Sequence, residues 1–216
     1  MSDLAWHFLR DDRTMQYSPY SRVQAGETYL AVGPLALCSN GMHASLRALD
    51  ALCYAPGSIV CRVRIGDERL VEHDKVCARA RTVLWLADAN TVLHEFSCLV
   101  AERALAGAAA AGQVLDPRLT AAVAAKRAWL RGEISDEALD GAREGAWDVV
   151  WSVVGEVAWD AAWAAARIAS WSIARDAAWG ACRAAMEAAG GDPTDPLNGQ
   201  LEHMLLALAP AEWTLV

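Results

Sequence analysis

The sequence has no apolar run long enough to cross a membrane. The longest stretch free of Asp, Glu, Lys and Arg covers residues 28–46, and the turn pairs Gly33-Pro34 and Asn40-Gly41 interrupt it. A bilayer-spanning helix needs about 20 continuous apolar residues. The first residues, MSDLAW, also lack the basic start and apolar run of a signal peptide. We therefore expect a cytoplasmic protein that does not enter a membrane.

Paired cysteines and the common catalytic motifs are also missing. The six cysteines contain no CxxC pair, and we expect them to be reduced thiols, several of them in the core. No glycine-rich phosphate loop, HExxH or GxSxG occurs. The sequence therefore predicts no cofactor and no particular reaction. The cysteines are Cys38, Cys53, Cys61, Cys77, Cys98 and Cys182.

Positive charge is in deficit. The chain has 19 Lys and Arg against 27 Asp and Glu, which gives a formal net charge of −8. Binding to a nucleic-acid backbone depends on Lys and Arg, so we expect none. An acidic surface suits a partner protein with a basic surface.

The pattern of turns and periodicity predicts an α+β protein in two parts. Residues 1–87 should form a strand-rich module with one short helix, and residues 88–216 an Ala- and Trp-rich helical region. Alternating or β-rich segments predict strands, and one apolar spacing predicts the short helix. The strands are expected at residues 4–9, 28–37, 59–65, 69–72 and 78–84, and the helix at 45–54.

Capping signals divide the second part into helices. Asp116 and Pro117 fit the N-cap and first turn of one helix, and Gly190-Gly191 ends the longest. The predicted helices cover residues 88–111, 117–131, 136–189 with a break near 155, and 196–208.

Every fourth residue from Arg143 collects six of the ten tryptophans. Residues four apart are neighbours on a helix, but each step drifts by about 40°. The column therefore winds around a straight helix, and we expect a core or a self-association surface, which makes a homo-oligomer one candidate. The six are Trp147, Trp151, Trp159, Trp163, Trp171 and Trp179.

A parallel column is acidic over its first four positions. It predicts either a solvated face or a docking surface for a basic partner, with the tryptophans beside it as binding residues. The binding candidates are Asp136, Asp140, Glu144, Asp148, Trp147 and Trp151.

Three segments are candidates for chemistry. Cys38 and His43 flank a tight turn and could form a nucleophile–base pair; otherwise His43 braces the turn. His73 lies in a charged tetrad, residues 72–75, that suits acid–base work or a surface turn. His94 and Cys98 lie one helical turn apart, a spacing that can hold a metal, but no second cluster completes a zinc site, so a buried polar pair is the alternative.

Several strings resemble an uncharacterised family common in phages and prophages. They are residues 23–29 (VQAGETY), 37–44 (LCSNGMHA), 49–57 (LDALCYAPG) and 74–78 (DKVCA). Met42 stands where that family more often has an aromatic residue. The alanine-rich segments after residue 116 resemble tails found in the same family and in candidate immunity proteins. The resemblance implies a phage or bacterial origin and supplies no catalytic residues.

A second resemblance is to the middle of ADP-ribosyltransferase folds, through the Gly-x-His-Ala turn followed by a helix and a strand. It implies a late glutamate that activates the transferred ribose. Glu72 and Glu95 are the late candidates, and neither lies in a matching motif.

Three functions follow as hypotheses. The first is a phage or prophage accessory protein that binds a host or phage protein, for instance in counter-defence of the anti-CRISPR kind. The second is a small-molecule or nucleotide-processing enzyme that uses His43 with His73 or Glu95. The third is a purely structural oligomerisation protein.

Overall fold

The computed structural model describes residues 3–17, 20–152, 165 and 194–211. It confirms the α+β class, with antiparallel strands followed by helices. The strands are β1 (Leu4–Leu9), β2 (Thr28–Leu30), β3 (Met42–Ala44), β4 (Ile59–Ile65), β5 (Arg69–Val71), β6 (Val76–Ala78) and β7 (Ala80–Asp88). The helices are α1 (Ala48–Cys53), α2 (Asn90–Ala110), α3 (Pro117–Leu130), α4 (Asp136–Ser152) and α5 (Thr194–Leu206).

The chain divides into two compact units. The first contains the described residues up to Ala89 together with those from Asn198 onward, and the second contains those from Asn90 to Leu197. The sequence-based division was placed after residue 87. None of the described helices is long and apolar enough to span a bilayer.

A four-stranded sheet in the order β1-β4-β7-β2 organises the first unit. All its neighbouring strands run antiparallel. In β4, the alternating side chains of Ile59, Cys61, Val63 and Ile65 enter the core on one face. This strand is the period-2 segment of the sequence, and burial of its apolar face fixes its register.

A second sheet has the order β3-β6-β5. Trp6 of β1 and Ser45, just after β3, exchange two backbone hydrogen bonds of 2.7 and 2.9 Å, which join this sheet to the first. The predicted strand at residues 28–37 is too long, since β2 ends at Leu30. Gly33 at φ +84° and Pro34 turn the chain away from the sheet.

Helix α1 receives its N-terminal caps from α5. Arg47 provides no side-chain cap. Instead, Glu202 Oε1 accepts the Ala48 N–H at 3.2 Å and Asn198 Oδ1 accepts the Leu49 N–H at 3.0 Å. The first amides of a helix have no partner within it, so these two side chains satisfy them.

Glu202 also binds the sheet. Its Oε1 accepts a hydrogen bond of 3.1 Å from the indole Nε1 of Trp6, which is 1% exposed. Arg62, the cross-strand partner of Trp6, lies over the indole ring at 4.3 Å from its centroid. Burial lowers the pKa of Arg62, and the charge of Glu202 opposes that shift. Trp85 packs edge-on against Trp6 at 6.0 Å.

The second unit contains α2, α3 and α4. Asp116 caps α3 as its sequence predicts, since its carboxylate accepts the Arg118 N–H at 2.9 Å and Pro117 starts the helix. Of the long helix predicted at residues 136–189, the structure describes the part up to Ser152, which is α4. The expected break near residue 155 and the tryptophans from Trp159 onward lie outside the described residues.

We expect Glu202→Ala to destabilise the first unit by about 1–3 kcal/mol, because two buried donors lose their acceptor. Hydrogen exchange should show faster exchange at the Ala48 amide, and Asn198→Ala should do the same at Leu49. His203→Ala, an exposed position of the same helix, is the control. Unchanged protection at both amides would show that α5 does not cap α1.

Candidate functional site

The predicted Cys–His segment is a tight turn closed by Ala36 and Asn40. Their backbones exchange two hydrogen bonds of 2.8 Å. The Asn40 side-chain amide donates to the carbonyls of Val32 and Pro34, at 2.9 and 2.7 Å. Cys38 lies exposed at the tip with φ +60°. The turn is therefore built by backbone and amide contacts and leaves Cys38 exposed.

The turn rests on Cys77 of β6. The Cys77 thiol donates to the carbonyl of Asn40 at 3.2 Å and, more weakly, to that of Ala36 at 3.9 Å. Gly41 follows at φ +146°, and a Cβ there would overlap the Cys77 sulfur. Only glycine satisfies both the backbone conformation and this close approach.

His43 uses both ring nitrogens on the backbone of this turn. Nε2 accepts the N–H of Cys38 at 3.2 Å, and Nδ1 lies 3.1 Å from the Gly41 carbonyl. These contacts assign the proton to Nδ1, which donates to Gly41. Burial, the largest influence, lowers the pKa of His43 and favours this neutral ring. The partner of the imidazole is the amide of Cys38, so the geometry is that of a brace.

Buried cationic and imidazole groups lie behind β3. Arg81 is 3% exposed, and its Nη1 donates to the His43 carbonyl at 2.6 Å. Burial lowers the pKa of Arg81 to about 10. Burial, followed by the charge of Arg81, also lowers the pKa of His7 well below its usual value. The hydrogen bond of Arg81 therefore fixes β3 from its buried side.

A network around Lys75 lies next to the Cys38 thiol. The Lys75 ammonium is 3.2 Å from Glu72, 3.9 Å from Asp74 and 3.4 Å from the Tyr54 hydroxyl. A side-chain hydrogen bond with Cys38 is the largest influence that raises the pKa of Lys75. Tyr54 donates a short hydrogen bond to Asp74, which lowers the pKa of that carboxyl. The site therefore combines a thiol, an ammonium and a phenol at one edge.

His73 is exposed within the same tetrad, and its charge contributes to the lowered pKa of Asp74. Sequence reasoning identified Cys38, His43 and His73 but missed Lys75 as a neighbour of the turn and Tyr54 as a partner of Lys75. The pairing of β3 with β6 brings Lys75 to the turn, and no local sequence signal encodes that pairing.

In the second unit, Arg127 of α3 clamps two acidic residues of α2. Its Nε and Nη2 form two hydrogen bonds to Glu102, of 2.7 and 2.8 Å, and Nη1 donates to Glu95 at 2.6 Å. Glu95 was a catalytic candidate. Its carboxylate is engaged in this helix–helix contact.

The metal candidates are buried in the same unit. His94 is 1% exposed and packs edge-on against Trp129 at 5.6 Å, and Cys98 is fully buried. The fully buried Lys126 lies over the Trp129 ring at 4.0 Å. Burial, then the charge of Lys126, lowers the pKa of His94 to about 4. Within the described ranges, no group of three or more His, Cys, Asp or Glu residues is arranged to hold a metal.

The acidic column of α4 divides into two halves. Asp136 accepts the indole N–H of Trp129 at 2.7 Å, and Asp140 pairs with Arg143 at 3.0 Å. Glu144 and Asp148 are exposed. The first half is therefore used within the unit, whereas the second half faces solvent.

Two tryptophans lie beside the exposed carboxylates. Trp147 and Trp151 stack with ring centroids 6.3 Å apart and an angle of 28° between their planes, and Trp151 is 81% exposed. Glu144, Trp147, Asp148 and Trp151 follow the spacing i, i+3, i+4 and i+7, which places them on one face of the helix. We call these four residues the α4 face.

Residues 4–95 match a family described as a domain of unknown function (DUF7666). The match covers the strands and α1 and ends in the first turns of α2, so it includes the Cys38 turn and excludes the α4 face. No curated protein and no solved structure matches the chain.

We expect His43→Ala to destabilise the first unit by about 1–2 kcal/mol, since the Cys38 amide loses its acceptor and the Gly41 carbonyl its donor. Urea unfolding and hydrogen exchange at the Cys38 amide measure the effect. His73→Ala, exposed in a neighbouring turn, is the matched control. If His43→Ala matches the parent protein in stability and in exchange at the Cys38 amide, as His73→Ala should, His43 does not brace the turn.

The low pKa of His94 makes the second unit sensitive to acid. The unfolded chain binds a proton near pH 6.5, but the folded state does so near pH 4. The neutral His94 ring therefore contributes its full share to the free energy of unfolding above pH 6.5. This contribution, up to about 3 kcal/mol, is lost as the pH falls toward 4. His94→Gln should flatten this pH dependence in urea unfolding, whereas the exposed His203→Gln should leave it unchanged. If the free energy of unfolding of His94→Gln depends on pH as steeply as that of the parent protein, His94 is not the source of the acid sensitivity.

Proposed function

We propose that the protein acts by binding another protein, and that the α4 face is its docking surface for a basic partner. The stacking of the half-buried Trp147 with Trp151, which is 81% exposed, is the observation that carries the proposal. Large indoles in water are costly to leave uncovered, and tryptophan is enriched among the residues that dominate binding energy at interfaces.

The chemistry of the face favours arginine on the partner. A guanidinium plane stacks on an indole and at the same time donates charge-assisted hydrogen bonds to carboxylates. Glu144 and Asp148 stand three residues before Trp147 and Trp151, respectively, so each indole has a carboxylate on the adjacent turn. One face therefore offers both kinds of contact that an arginine uses.

The same charges disfavour self-association through this face. Two copies would oppose Glu144 and Asp148 with the same carboxylates, and like charges repel. A homo-oligomer built on the tryptophan column would depend on Trp159 to Trp179, which lie outside the described residues. A separate protein with a basic surface is the occupant that the α4 face fits.

The enzymatic alternative has less support from the geometry. Both ring nitrogens of His43 are bonded to backbone groups, and the Glu95 carboxylate is held by Arg127. The proposal therefore gives these residues structural roles.

The biological setting belongs to the proposal too. The resemblance of residues 23–78 to phage and prophage proteins supports an accessory protein that works inside a bacterial host. Five described cysteines are free thiols, which suits a reducing cytoplasm. Interference with a host defence system, of the anti-CRISPR kind, is the concrete form of the proposal.

The test uses an arginine-rich peptide with blocked ends and protein labelled with fluorotryptophan. The fluorine resonances of Trp147 and Trp151, assigned with Trp147→Phe and Trp151→Phe, should shift on titration. Glu144→Gln with Asp148→Asn should weaken binding about tenfold, because two exposed charge contacts are lost.

The matched control is Glu27→Gln with Asp67→Asn, which removes the same charge from exposed positions of the first unit. It should bind like the parent protein. If both double variants lose peptide affinity equally, the effect comes from net charge alone. If only the fluorine resonances of other tryptophans shift, the docking surface lies elsewhere. Either result overturns the proposal.

A further inference from the structure

The Cys38 turn holds two thiols that the proposed binding function does not use. Cys38 is exposed at the tip of the turn, and Cys77 is fully buried below it. They differ in access to solvent but share one structural element. This arrangement, an accessible thiol above a protected one, is the arrangement of a reactive cysteine with a second cysteine that resolves it.

Backbone contacts hold the two thiols at the same turn. The Cys77 sulfur reaches the carbonyls of Asn40 and Ala36, the residues that close the turn. The amide of Cys38 is tied to His43, and His43 is the cross-strand partner of Cys77. The turn therefore cannot leave β6 without breaking the contacts of the Cys77 sulfur with both of its ends.

Lys75 lies beside the outer thiol. Interaction with the Cys38 side chain is the largest cause that raises the pKa of Lys75, and Lys75 is only two residues before Cys77. The thiolate is the form of a cysteine that attacks peroxides, and it is opposite in charge to an ammonium. The cluster thus holds an exposed sulfur, a positive charge and a second, buried sulfur at one turn.

We propose that Cys38 and Cys77 form an oxidisable pair that a hydroperoxide converts into a disulfide. In the first step the Cys38 sulfur attacks the peroxide oxygen, the O–O bond breaks, and an alcohol or water leaves with a proton while Cys38 becomes a sulfenic acid. In the second step the Cys77 sulfur attacks Cys38, the S–O bond breaks, and the proton of Cys77 leaves with the hydroxyl as water. The peroxide gains two electrons, which the two thiols lose.

Cys53 is an internal control that shows whether exposure to solvent is enough to make a thiol of this protein reactive. It is the other exposed thiol among the described cysteines, but its surroundings differ. Burial is the largest cause that raises the pKa of Cys53 to about 11, and the charges of Asp50 and Asp74 add to it. Acidic neighbours disfavour the thiolate, so exposure without Lys75 should not give reactivity.

The experiment treats the full chain with a small excess of hydrogen peroxide and maps the cysteines by peptide mass spectrometry without reduction. The expected product is a peptide pair that links Cys38 to Cys77, with Cys53 unmodified. In Cys77→Ser, a dimedone adduct should accumulate on Cys38, since the sulfenic acid is no longer resolved. In Cys38→Ser, Cys77 should stay unmodified.

Lys75→Gln tests the activating charge. Alkylation of Cys38 by iodoacetamide at neutral pH should slow about threefold, because the variant removes a positive charge beside the attacking sulfur. Alkylation of Cys53 should be unchanged. Circular dichroism checks that the variants are folded.

Three outcomes overturn the proposal. The first is a dimedone adduct that persists on Cys38 in the parent protein without a link to Cys77. The second is oxidation of Cys53 as fast as that of Cys38. The third is a link between Cys38 and any other cysteine, Cys182 included.

Discussion

One carboxylate, that of Glu202, joins three parts of the first unit. It accepts hydrogen bonds from the Trp6 indole and the Ala48 amide, and its charge opposes the desolvation of Arg62. The guanidinium in turn covers the indole ring. Each of these groups is costly to bury alone, but together they satisfy one another. The position of α1 and the position of the sheet therefore both depend on α5, and α1 is followed along the chain by β4, one of the two central strands of the sheet.

Local pattern was enough to predict much of this fold. β1 and β4 occur where the sequence predicts them, because a short β-rich run and, in β4, an alternating one are properties of neighbouring residues. The Asp116 cap is local as well. The capping of α1 was not predictable, because its acceptors are about 150 positions further along the chain and α1 carries no cap of its own.

The same distinction applies to the candidate site. The short segment from Cys38 to His43 was recognisable, since both residues flank a turn. The role of His43 was left open between base and brace, and the contact that favours the brace is the amide of Cys38 rather than its thiol. Lys75 and Cys77 reach the turn through strand pairing, which a single sequence does not reveal. On α4, the spacing of Trp147 and Trp151 was visible in the sequence, but the half-burial of Trp147 and the exposure of Trp151 depend on how the helices pack.

Trp6 and Glu202 are 196 positions apart, and this distance has a consequence for synthesis on the ribosome. At about 5–20 residues per second, translation needs roughly 10–40 seconds to proceed from one to the other. During that interval the strands and α1 of the first unit have been made, but the acceptor for the indole and for the helix amide has not. The nascent first unit waits with these donors unsatisfied while residues 90–197 are produced, and it is over this interval that a chaperone has the opportunity to hold it.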